Sequence, residues 1–303
     1  MSTTGRLGVL CAAAVLVLTG CTGGSGAPDL PAVEQPRAPT TSASPSYQRY
    51  VALGDSYTAG PYVPNTDLAN GCLRSSGNYP SLVAAALDVD TFVDVSCSGA
   101  DTRDLLRPQH TFRDASVPPQ LDAVTAATDL VTLGIGGNDF DLFGTLLQTC
   151  TRLRDLDPAG APCTAQLDAQ GTDLDRQTAR IGHRVATAIN EVQTRAPRAT
   201  VLLVGYPRLT PATGTCPKLL PLARGDYRLA EHVAASLSTS MSHAAEQVGA
   251  GFIDVYAASA GHDICAAEPW VNGRLTDQEA ALAFHPFSTQ MQAVADLVVA
   301  RVR

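Results

Sequence analysis

Tyr50-Val51-Ala52-Leu53-Gly54-Asp55-Ser56-Tyr57-Thr58-Ala59-Gly60 is the stretch on which the reading of this chain turns. It begins as a short continuous apolar run, the pattern of a strand buried on both faces. It then breaks into small and polar residues at Gly54-Asp55-Ser56. A helix beginning there would aim unpaired backbone N–H groups at an anion. The segment therefore reads as strand, tight turn and helix start, with a serine at the corner.

The same alternation recurs outward from this point. Tyr79 to Leu87 reads as a helix and Thr91 to Val95 as a strand; Leu121 to Thr125 reads as a short helix, and Leu130 to Ile135 as a buried strand that ends in Gly136-Gly137-Asn138-Asp139. Leu174 to Arg195 carries apolar or small residues at Ile181, Val185, Ala188, Ile189 and Val192, the period of an amphipathic helix, and Pro197 stops it. A strand from Thr200 to Val204, a helix from Tyr227 to Val248 and a strand from Gly251 to Val255 follow. The last helix runs from Ser288, the expected N-cap, to about Val302, with Pro286 just before it. Apolar strands separated by helices predict an α/β fold, a three-layer α/β/α sandwich around a five-stranded parallel sheet of flavodoxin-like type. Ligands of such sheets bind beyond the carboxyl ends of the strands. Ser56, Gly99 and Asn138 follow the first, second and third strands. The less regular region from Leu142 to Thr172 reads as a surface excursion, able to shape a cleft.

Serine is a weak nucleophile unless a base takes its proton, and the oxyanion that develops needs donors already in place. Gly54-Asp55-Ser56 offers the hydroxyl and Cys97-Ser98-Gly99-Ala100 a glycine whose N–H can approach a substrate oxygen. Gly136-Gly137-Asn138-Asp139 offers an amide, and Phe284-His285-Pro286 an imidazole before the last helix. Asp55 is expected to bond nearby backbone N–H groups and shape the turn, and Tyr57 to pack beside the site. Trp270 either lines an acyl pocket or packs in the core. His110, His183, His232, His243 and His262 are read as structural or solvated.

These four segments, in this order, resemble the blocks of the SGNH (GDSL-type) hydrolases: Gly54-Asp55-Ser56, then Gly99, then Gly136-Gly137-Asn138-Asp139, then His285. The resemblance runs from about Tyr50 to the end, and is to the actinobacterial secreted lipases and esterases in particular. It implies a serine esterase or lipase acting on ester or lipid substrates, with Ser56 as nucleophile and His285 as base. Ser56, Gly99 and Asn138 would form the oxyanion hole, with no metal and no cofactor. Many members carry an aspartate three residues before the histidine; here that position is Leu282. A main-chain carbonyl at or beside Leu282 is the expected substitute, with Asp263 as its competitor. An α/β-hydrolase would need Gly-x-Ser-x-Gly, which Gly54-Asp55-Ser56-Tyr57-Thr58 lacks. A dinucleotide site would need a third glycine after Gly134-Ile135-Gly136-Gly137. A catalytically dead envelope-binding module is the rival of another class, and the intact blocks argue against it.

The N-terminus reads as a targeting segment. Arg6 precedes an apolar run from Leu7 to Leu18, shorter than the roughly 20 residues that span a bilayer. Leu18-Thr19-Gly20-Cys21 resembles a bacterial lipobox, in which the cysteine receives lipid. Residues 1–21 are thus expected to be a lipoprotein signal peptide with Cys21 the lipidation site. Residues 22–47, rich in Gly, Ala, Pro, Ser and Thr, are expected to be a flexible tether, and 48–303 the hydrolase domain. The expected place is the extracytoplasmic face of the cell membrane, with secretion as an alternative, and the expected state a monomer. Hydrophobic residues at 45 % support a sizeable core, and a formal net charge of -8 argues against nucleic acid as partner. Six cysteines follow the signal region: Cys72, Cys97, Cys150, Cys163, Cys216 and Cys265. In an exported protein they suggest disulfides rather than zinc, since Cys-x-x-Cys is absent. Of fifteen possible pairings, the sequential one closes three short loops and is the one expected; the secreted relatives carry the same pattern.

Overall fold

The computed structural model describes residues 46–303. The expected leader, Cys21 and all but the end of the expected tether lie outside them. The sheet has five parallel strands, β1 (Arg49–Gly54), β2 (Thr91–Asp94), β3 (Leu130–Gly134), β4 (Thr200–Val204) and β5 (Gly251–Ile253), in the order β2-β1-β3-β4-β5. This is the flavodoxin-like order, whose switch point lies between β1 and β3. The helices are α1 (Ser56–Ala59), α2 (Tyr79–Leu87), α3 (Leu174–Arg195), α4 (Asp226–Gln247) and α5 (Ser288–Val302).

Successive side chains of a strand point to opposite faces, so each buried strand feeds two cores. Tyr50, Ala52, Leu130, Leu202 and Val204 meet Val83 of α2 and Met291, Val294 and Val298 of α5. Val51, Leu53, Val131, Leu133 and Leu203 face the other way, toward Ile181, Val185 and Ile189 of α3 and Val233 and Leu237 of α4. α3 is capped by Asp173, whose carboxylate accepts the Arg176 N–H at 2.8 Å. Its Gly182 lets it approach α4: a Cβ there would stand 2.8 Å from the Ser240 carbonyl oxygen.

The elements differ from the sequence reading at their ends. The expected helix from Leu121 to Thr125 is one 3₁₀ turn, Gln120–Ala123. There the Gln120 side chain turns inward and bonds both the N–H and the carbonyl of Gly54, at 2.8 and 2.9 Å. β5 stops at Ile253, because Asp254 caps a short helix at Val255–Ala258 by accepting the Ala257 N–H. Ser288 is the first residue of α5 and not its cap; Phe287 holds the cap position with extended backbone and no side-chain bond. The excursion from Leu142 is a chain of short helical turns leading to the helix Pro162–Ala169. The buried Asp226 carboxylate of α4 closes that helix's first turn, accepting the N–H groups of Cys163 and Thr164 at 3.1 and 2.9 Å.

The six cysteines pair sequentially, Cys72–Cys97, Cys150–Cys163 and Cys216–Cys265, across 25, 13 and 49 residues. Among the described residues no helix is long and apolar enough to cross a membrane. Loop closure predicts that the double variant C216A/C265A loses about 4 kcal/mol and C150A/C163A about 3 kcal/mol. Urea unfolding of both, with the larger loss in the pair that closes the longer loop, is the expected outcome; the reverse order would mean that native packing governs these bridges.

Candidate active site

β1 ends beside β3, with Gly54 opposite Gly134. A Cβ on Gly54 would stand 2.2 Å from Thr58 Oγ1 and 2.6 Å from the Gly134 carbonyl oxygen. Only glycine lets the chain leave the sheet this tightly. Asp55 then caps α1, its Oδ1 accepting the Tyr57 N–H at 2.9 Å, and Ser56 becomes the first residue of that helix. The second oxygen of Asp55 accepts the Tyr206 hydroxyl proton, and the Tyr206 oxygen accepts the Gly137 N–H at 2.8 Å. One buried carboxylate thereby links the loops after β1, β3 and β4. Burial pushes Asp55 up to about 7, against the opposing pull of the Tyr206 and Tyr57 hydrogen bonds.

His285 faces this corner. Its Nε2 lies 2.8 Å from Ser56 Oγ, and its Nδ1 lies 2.7 Å from the Ala283 carbonyl oxygen. A carbonyl can only accept, so Nδ1 carries the hydrogen and Nε2 is left as acceptor for the Ser56 hydroxyl. The expected orienting carbonyl is thus that of Ala283, beside Leu282. Asp263 has another partner: its carboxylate accepts the Cys265 N–H at 2.9 Å. The turn that carries the ring is fixed from several sides. Tyr57 donates its hydroxyl to the Phe284 carbonyl at 2.7 Å and lays its ring beside the imidazole, centroids 5.3 Å apart. Phe284 adopts a left-handed conformation, φ 61°. The Leu282 N–H bonds the Pro61 carbonyl at 3.1 Å and the Asn272 N–H the His285 carbonyl at 2.9 Å.

The donors come from two further loops. Gly99 is exposed at φ 82°, on a turn closed by the Ala100 N–H to the Cys97 carbonyl at 3.1 Å. Cys97 ties that turn to β1 through the Gly54 carbonyl, at 3.0 Å. Asn138 Nδ2 donates to the Ala100 carbonyl at 2.8 Å, which fixes the amide with its nitrogen toward the Gly99 loop and leaves its second N–H free to donate. Neighbouring Asp139, fully buried, accepts the N–H and hydroxyl of Thr102 and pairs with Arg184 Nη1 at 2.6 Å. Among the described residues no acceptor meets the N–H of Ser56 or of Gly99. Ser56, His285, Gly99 and Asn138 thus stand on loops bonded to one another.

Trp270 is stacked on His262 with centroids 4.8 Å apart, and its carbonyl accepts the Phe287 N–H at 2.8 Å. Among the described residues no group of three or more His, Cys, Asp and Glu side chains could hold a metal. The sequence reading missed Tyr206, Gln120 and Arg184. Tyr206 had a signal: it follows the end of β4, as Ser56 follows β1. Gln120 and Arg184 had none, because each acts across a long separation.

Comparison with known proteins places these features among relatives. The model of the GDSL-like Lipase/Acylhydrolase family matches residues 52–292. Lipase 2 of Streptomyces coelicolor is 42 % identical over 223 residues, 72 % of this chain and 73 % of that protein. The crystal structure of phospholipase A1 from Streptomyces albidoflavus NA297 matches with a TM-score of 0.67 at 30 % identity, covering 84 % of this chain and 98 % of the other. That of the extracellular lipase of Streptomyces rimosus matches with the same TM-score of 0.67 at 29 % identity, with the same coverage of 84 % and 98 %.

The half-buried His285 is pulled down to about 4, since losing water disfavours the imidazolium more than the Ala283 bond favours it. The ring is therefore neutral and able to accept a proton at neutral pH. As pH falls from the ordinary 6.5 toward 4, the unfolded chain takes up this proton before the folded one, so His285 lowers stability across that window. NMR titration of the ring is expected to show a midpoint well below 6.5, near 4; a midpoint above 6.5 would mean that an unseen anion holds it charged.

Proposed function

The chain belongs to the GDSL-like lipase/acylhydrolase family and is a carboxylic ester hydrolase, and on that premise we propose that it acts through an acyl-enzyme on Ser56. Ser56 Oγ attacks the ester carbonyl carbon while His285 Nε2 takes its proton. The carbonyl oxygen becomes an oxyanion, received by the N–H groups of Ser56 and Gly99 and by Asn138 Nδ2. Collapse of the tetrahedral species breaks the bond to the leaving oxygen, which takes the proton from His285 and departs as the alcohol. Water then attacks the acyl-enzyme with His285 again as base, releasing the carboxylic acid and free Ser56. The observation that carries this reading is the 2.8 Å Ser56–His285 contact with its tautomer set by Ala283.

A neutral carbonyl stabilises the imidazolium less than a carboxylate would, so more of the barrier lowering falls to the oxyanion donors. Lipid esters are the substrate class this reading favours, supported by relatives named as lipases and a phospholipase A1. The proposal extends to place: Leu18-Thr19-Gly20-Cys21 supports export with a lipid-anchored Cys21, and the stretch to residue 47 would hold the enzyme off the membrane.

A fluorophosphonate probe is expected to label the wild-type serine, and Ser56→Ala to abolish both labelling and turnover of p-nitrophenyl esters with the fold intact. Asn138→Ala should lower kcat by about 100- to 1,000-fold with a much smaller change in KM. Labelling that survives Ser56→Ala would move the nucleophile elsewhere, and unlabelled, folded wild type would favour a binding module. In detergent phase separation the wild-type protein should enter the detergent phase and Cys21→Ser should not; wild type in the aqueous phase would remove the anchor from the proposal.

A further inference from the structure

Phe112 is a large aromatic side chain left 68 % exposed. It stands at the tip of a hairpin whose two short strands, Gln109–His110 and Ser116–Val117, pair antiparallel. That hairpin is built onto the Gly99 side of the site. Gln109 Nε2 donates to the Ser98 carbonyl at 3.0 Å, and Thr111 Oγ1 to the Asn70 carbonyl at 2.6 Å. The Cys72–Cys97 bridge joins the two segments that receive those bonds. A Cβ on Gly99 would stand 3.5 Å from Phe112 Cζ, so the ring edge hangs over the glycine. An exposed aromatic on a hairpin anchored at such a place is a contact surface for an apolar partner.

The chemistry says which part of the substrate meets it. Around the attacked carbon stand Ser56 Oγ, the oxyanion, the leaving oxygen and the acyl chain. The oxyanion points to Gly99, and the leaving oxygen must lie toward His285, which protonates it. The acyl chain is left the side away from His285, where it passes beside the oxyanion and along the Gly99 turn that Phe112 overhangs. We propose that Phe112 is a specificity-determining residue, the wall against which the acyl chain of a medium- or long-chain ester packs. This rests on the serine-esterase reading above and adds to it the side of the site on which chain length is sensed.

The test compares p-nitrophenyl acetate and decanoate with wild type, Phe112→Ala and Phe112→Leu, with a separate aliquot of each checked for labelling by the fluorophosphonate probe. Phe112→Ala should lower the decanoate-to-acetate ratio of kcat/KM about tenfold, mostly through KM for decanoate, the scale on which an apolar contact discriminates substrates. Phe112→Leu should restore most of the ratio. An unchanged ratio in folded Phe112→Ala that is competent for labelling, or an equal loss on both esters, would overturn the assignment while leaving the esterase reading intact. Wild type that neither labels nor turns over acetate would overturn the esterase reading, and the subsite with it.

Discussion

The Asp55 carboxylate holds the catalytic edge of this molecule together. It caps the helix turn that begins at Ser56 and, through Tyr206, reaches the N–H of Gly137, one residue before Asn138. The loops after β1, β3 and β4 share that one hydrogen-bonded chain. Buried and away from water, the group is costly unless every acceptor position is used, and the same cost makes the arrangement specific. Its raised affinity for a proton follows from the same burial. The aspartate of the Gly54-Asp55-Ser56 motif therefore reads as architecture, since the proton of Ser56 has another acceptor.

That acceptor shows a second economy. His285 is oriented by a main-chain carbonyl, not by a carboxylate, and the turn that presents Ala283 is held by Tyr57, Pro61 and Asn272. Tyr57 directly follows Ser56, so the Ser56 turn and the His285 turn are braced against each other by adjacent residues. Burial lowers the proton affinity of the imidazole, and the bond to the neutral Ala283 carbonyl offsets only part of that loss. Gly99 and Asn138 are tied down as well: the Gly99 turn is bonded to β1 and bridged to Cys72, and the Asn138 amide is fixed by Ala100. Phe112 inherits its position from the same bridged corner.

Local patterns sufficed for much of this. The apolar run at Tyr50–Leu53 ends in a turn that only glycine can make, so strand, corner and the serine at the helix start are dictated within a few residues. The period of α3 names the residues it buries, because helix geometry places them on one side whatever lies opposite. Motif order brought Gly99, Asn138 and His285 into one hypothesis with Ser56. Where the reading slipped, the cause was a contact from afar. The segment at Gln120 shortened to a 3₁₀ turn as its side chain was drawn to Gly54, 66 residues away. Ser288 lost the expected cap role as Phe287 entered the cap position in extended conformation.

By itself, then, the sequence determined the strand–helix alternation and the parallel sheet, and it singled out Ser56 and His285 as a candidate pair, because these rest on periodicity and on short motifs whose atoms are neighbours along the chain. Only the tertiary structure decided that Ala283 and not Asp263 faces His285 Nδ1, that Tyr206 and Arg184 lock the loops, and that Phe112 overhangs Gly99. Those contacts join residues far apart in the chain, and nothing in local propensity encodes which of several equally polar or apolar side chains the packing of the layers will bring within bonding distance.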